Sequence, residues 1–127
     1  MQHRLIVLAV VIVGMGGAAQ AADAPSLTGT WSGKGTSVSK SEGWETERSY
    51  TLVITEQRGQ VFKGHNEWPG GQDEVLGVVK ADGSSLLLTN ADGVSSATLI
   101  DADSMEACYA EGGDDAMAVC VTLTRTR

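Results

Sequence analysis

The side chains with chemistry to offer fall into three sets. Cys108 and Cys120 lie equally far from Asp114, so a hairpin centred on that residue sets the two thiols opposite one another. Trp44, Arg48, Asn66, Trp68 and Tyr109 supply flat aromatic area, a forked cation and an amide. Those types suit the holding of a small ligand better than the breaking of bonds. The third set is acidic: Asp101-Ala102-Asp103, and Glu111 with Asp114-Asp115. These read as solvated turns, since they lack the full oxygen set of a Ca²⁺ site.

Nucleophilic and metal chemistry find no foothold. After residue 21 there is one histidine, His65, which alternation puts with Val61, Lys63 and Glu67, away from Phe62 and Trp68. A Ser–His–Asp relay aimed at the interior does not fit that placement. There is no H-E-x-x-H, C-x-x-C or glycine-rich phosphate loop. The expectation is therefore no metal, no cofactor and no catalytic residue.

The elements that must position these side chains begin after a leader. Met1-Gln2-His3-Arg4 is a short cationic start, LIVLAVVIV over 5–13 is apolar, and Ala19-Gln20-Ala21 fits an A-x-A processing site. The apolar run is too short for a bilayer, which takes roughly 20 residues. Cleavage after Ala21 leaves one domain over 22–127, exported to the periplasm or secreted. Setting Arg4 aside from nine basic residues leaves eight against sixteen acidic ones, a net charge of −8. That balance argues against a nucleic-acid partner, which needs basic patches, and against anionic membrane surfaces.

Short β-branched and apolar runs alternate with Gly, Asp, Asn and Ser clusters, and no helical period is sustained. Eight strands are predicted, over 28–38, 46–55, 60–68, 74–80, 84–89, 94–101, 104–111 and 117–125. Gln57-Arg58-Gly59, Pro69-Gly70-Gly71 and two Ala-Asp-Gly triplets supply turn chemistry between them. Links this short force antiparallel neighbours. Eight meandering strands have two bare edges unless the sheet closes. The fold expected is an eight-stranded antiparallel up-and-down β-barrel, with a β-sandwich as the alternative. Met105, Ala107 and Tyr109 face inward, as do Met117, Val119, Val121 and Leu123, which turns Cys108 and Cys120 outward. In an exported chain they form a disulfide.

Gly29-Thr30-Trp31, in the stretch SLTGTWSGKGT, resembles the G-x-W first strand of calycin-type barrels, the lipocalins and avidins. The resemblance implies that Trp31 packs near the closed end against a basic residue of the last strand. Arg125 matches that role, and an Arg over an indole is a cation–π contact of about 0.5–2 kcal/mol. Most of the chain also resembles small secreted bacterial proteins with a G-T-W start, a TLVITEQRG second strand and an ending like MEACYAEGGDDAMAVCVTLTR. That resemblance implies export and a barrel and carries no activity.

With Trp31 at the bottom, the connections at 39–45, 69–73, 90–93 and 112–116 share the top. Trp44, Arg48, Tyr50, Leu52 and Ile54 are expected on one face of the second strand. Pairing Ile54 with Phe62 sets Arg48 opposite Trp68. The upper mouth is then lined by Trp44, Arg48, Asn66, Trp68 and Tyr109, with Arg48 able to meet an anionic group. Three functions follow: a binding module for a small apolar or amphipathic ligand, a periplasmic inhibitor or other interaction protein acting through its loops, and a cyclase-like barrel enzyme. A cavity favours the first or third, and a solid interior the second.

Overall fold

The computed structural model describes residues 23–127. The expected leader over 1–21 lies outside the described residues. Eight strands follow in order: β1 (Gly29–Ser39), β2 (Gly43–Arg58), β3 (Val61–Trp68), β4 (Gly71–Val79), β5 (Ser85–Thr89), β6 (Val94–Asp101), β7 (Ser104–Glu111) and β8 (Met117–Thr126). Each pairs antiparallel with the next, and β1 pairs with β8, so the sheet closes into a barrel. Closure leaves neither the first nor the last strand as a bare edge.

The turns form where the sequence supplies side chains to cap them. Asp82 accepts hydrogen bonds from the backbone N–H groups of Ser84 and Ser85 at 2.9 and 2.8 Å. The Ser85 hydroxyl and those amides hold the Asp82 carboxyl down at about 2. Asn90 does the same for Asp92 and Gly93.

Period-2 alternation holds along β8, where Met117, Val119, Val121, Leu123 and Arg125 turn inward. Cys108 and Cys120 are directly opposed across β7 and β8, on the alternating positions that face out, and form the disulfide.

Alternation breaks twice in β2. Thr46 and Glu47 together oppose Thr36, with Glu47 at φ 57°. Thr55 is an extra residue between the Ile54–Gly64 and Glu56–Lys63 pairs. Each bulge inserts one residue and reverses which positions face the core. The expected pairing of Ile54 with Phe62 is thereby corrected. Ile54 meets Gly64, and Phe62 meets Gln57, which the second bulge rotates inward. Arg48 consequently does not sit opposite Trp68, because the register aligns Thr51 with Glu67 and leaves Tyr50 level with Trp68.

The core fills the lower half of the barrel. Trp31, Ile54, Phe62, Val79, Leu86 and Met105 are buried there, with Leu27 beneath them from the segment before β1. Phe62 lies over Gly77, where a Cβ would come within 2.3 Å of its ring, so only glycine leaves the ring room. The wall is uneven higher up. β5 is short and pairs only with Leu76 to Val79 of β4. The upper part of β4, residues 71–75, has ladder partners in β3 alone among the described residues. That leaves a notch beside the 90–93 turn.

Candidate functional site

The two ends of the barrel are built differently. At the bottom, Trp31 and Arg125 are directly opposed on β1 and β8, with the guanidinium carbon 4.7 Å from the indole centroid. Gly29 has φ 136° and a Cβ there would sit 3.1 Å from the Arg125 stem, so glycine admits both the backbone and the arginine. The Arg125 guanidinium donates to the carbonyls of Ser26, at 2.8 Å, and of Ala102, and to the Asp103 carboxylate at 3.2 Å. Trp31 Nε1 donates to the Leu27 carbonyl at 2.8 Å. Gln57 accepts from Leu27 N–H and donates to the Pro25 carbonyl, each at 2.8 Å. Segment 23–28 is thus stitched across the base as a plug.

Sequence reasoning placed Trp31 and Arg125 but missed Leu27, Gln57 and Asp103. Leu27 and its neighbours precede the strand pattern, and Gln57 faces inward only because of the Thr55 bulge. Asp103 reads as a solvated turn residue, yet hydrogen bonds from Arg127, with Arg125 beside it, hold its carboxyl below the usual carboxylate range.

The top is open and contains a cavity of about 200 Å³. Its floor is apolar, with Leu52, Val75, Leu88, Met105, Val121 and Leu123. Around the mouth stand Tyr50, Trp68 and Tyr109, with Arg48, Asn66 and Asp73. Four of the five mouth residues expected from the sequence, Arg48, Asn66, Trp68 and Tyr109, therefore line one cavity.

Trp44 does not, and its expected place is corrected. It pairs with Val38 on the outer face and is 77% exposed. The bulge at Thr46 and Glu47 puts Trp44 out of phase with Arg48, and Glu45 takes the inward position instead.

The Arg48 charge is already engaged. Its Nη1 lies 2.7 Å from Glu45 and 3.3 Å from Glu42. Burial works to lower its pKa, but the Glu45 hydrogen bond with Tyr50 and Glu42 nearby outweighs that and raises it. Glu45 and Glu42 thus already stand where an anionic ligand was expected to meet Arg48. Tyr109 donates to Glu111 at 3.0 Å, and burial together with that carboxylate pushes the phenol up to about 12.

Three buried polar atoms at the mouth have no hydrogen-bond partner among the described residues: Arg48 Nε, Tyr50 Oη and Asn66 Oδ1. All three belong to residues that line the cavity. Buried polar groups are nearly always satisfied, because an orphan costs about 1–3 kcal/mol. Three at one cavity mark a place where something else supplies the partners.

Comparison with known proteins bears on the architecture. No family model and no curated protein matches the chain. Among solved structures it is similar to a redesigned β-barrel, with a TM-score of 0.55 and 12% identity over 80% of this chain and 92% of that one. At that identity the likeness speaks to the fold alone. On the outer face Val61, Val78 and Leu87 are exposed register neighbours across β3, β4 and β5.

Proposed function

We propose that this barrel is a binding module that holds a small, mostly apolar ligand in the cavity at its open end. The observation that carries the reading is the coincidence of the cavity with three unpaired buried polar atoms, Arg48 Nε, Tyr50 Oη and Asn66 Oδ1. A stable empty site has no reason to bury them. Ligand pockets combine apolar walls with a few such convergent groups. At about 200 Å³ the space suits one ring with a short arm, since a cavity of about 150 Å³ takes up benzene. The notch beside upper β4 offers a route in. Export through the leader would place the module in an oxidising compartment, and the Cys108–Cys120 bond is compatible with that.

Native mass spectrometry of protein from its own host, joined to a Trp fluorescence screen of small aromatic and lipid-like compounds, tests the reading. Trp68 is the indole at the cavity, so Trp68→Phe should remove the response while Trp44→Phe leaves it. If no retained molecule is found and no compound alters the emission, the binding reading fails and an interaction role for the outer face takes its place.

A further inference from the structure

The charge around the cavity is one-sided. Among the described residues Arg48 is the one cation lining it, against Glu67, Asp73, Asp92 and Glu111. Arg48 is in turn matched by Glu45 and Glu42. An anionic ligand would meet a mouth of its own sign. Asp73 differs from the other carboxylates. It sits on the inward face of β4, half-buried, and is the direct register partner of Asn66 on β3. Its carboxylate makes no ion pair or hydrogen bond among the described residues, whereas Glu111 is occupied by Tyr109. Asn66 Oδ1 is one of the orphan acceptors, and Tyr50 Oη is another, one inward position along β2 from Leu52, which pairs with Asn66.

Three oxygens able to accept, on the adjacent strands β2, β3 and β4, therefore line one cavity without a hydrogen-bond partner among the described residues. An alkylammonium carries three N–H donors and one positive charge. Trp68 lines the same cavity and its indole is a surface that attracts a cation, whereas the Tyr50 ring already carries the Arg48 guanidinium 5.9 Å from its centroid. Resting on the binding reading above, we propose that the ligand is a small primary amine. Its protonated nitrogen is held by Asp73, Asn66 and Tyr50, and its apolar body lies on Leu52, Val75 and Leu88. The apolar floor sets the body's size, and the half-buried free carboxylate of Asp73 sets its charge.

Calorimetric titration of the mature chain with three probes of one skeleton tests this: 2-phenylethylamine, 2-phenylethanol and phenylacetate. The amine should bind at least about tenfold tighter than the alcohol, the difference one charge-assisted contact makes, and phenylacetate weakest. Asp73→Asn, checked for an unchanged melting temperature, should reduce the amine to the level of the alcohol and leave the alcohol unaltered. If the alcohol or the acid matches the amine, or Asp73→Asn keeps the amine's advantage, the amine assignment is overturned while the binding reading stands. If the folded wild-type chain binds none of the three, and the broader screen is also silent, both fall.

Discussion

The bottom of the barrel satisfies nearly every polar group it buries, and the top leaves three unsatisfied. Arg125 and Arg48 make the contrast concrete. Both are arginines on inward positions beside an aromatic ring. Arg125 reaches three backbone carbonyls, of Ser26, Thr28 and Ala102, a carboxylate and an indole, and its side chain is 3% exposed. Arg48 uses one nitrogen on two carboxylates, keeps a buried Nε without partner and is 18% exposed. Similar residues thus serve closure at one end and leave bonding capacity free at the other. Satisfied and unsatisfied polar groups are separated along the barrel axis.

That separation can be broken most severely at Trp31. Trp31→Ala removes a fully buried indole and should cost about 4 kcal/mol, read from denaturant midpoints. The Cys108–Cys120 bond should come next. Replacing both cysteines by alanine should cost about 3 kcal/mol by the chain-entropy model for a loop of this size. Non-reducing peptide mapping should show the linked pair beforehand. Arg125→Ala should cost about 2 kcal/mol through lost stem packing and abandoned carbonyls. A midpoint unchanged in this variant would mean that the plug does not close the base.

The top should behave in the opposite way. Tyr50→Phe deletes an unpaired buried hydroxyl, so stability should hold or rise by up to about 1 kcal/mol, while affinity for an amine probe falls. A clear loss of stability would show that the hydroxyl has a structural partner and would remove the contrast. The smallest effect is a titration. The Tyr109 phenol, raised from 10 to about 12, should give an ultraviolet titration step near pH 12, and Tyr109→Phe should remove that step. Because its folded-state value is raised, its contribution is complete below pH 10 and is lost as pH rises towards 12.

Much of this architecture was legible because local signals agreed. Asp-Gly turns, short alternating runs and the equal spacing of Cys108 and Cys120 about Asp114 each depend on neighbours in sequence. The failures share one cause. Nothing in the types of Thr46, Glu47 or Thr55 announces a bulge, and each bulge inverts the facing of what precedes or follows it. Trp44 was misplaced for that reason, and Gln57 went unseen. The Arg48 ion pair was invisible too, since Glu45 comes inward only through the same inversion. At the mouth, alternation still placed Asn66, Trp68 and Tyr109, because β3 and the upper part of β7 carry no bulge.

Arg125 donates to the carbonyl of Ser26, 99 residues earlier. During synthesis the chain emerges from its amino-terminal side, so the base cannot be sealed until the eighth strand has arrived. Until then β1 waits with an unpaired edge, and the segment before it has no guanidinium to anchor it. Such distant pairings are slow to form and expose edges to other chains in the meantime. Lys34, on the outer face of β1, puts a charge on that waiting edge, a common deterrent to pairing between molecules. The vulnerable moment in the life of this barrel is thus its assembly, and a strand-mimicking peptide would find its target in the nascent chain rather than in the finished one.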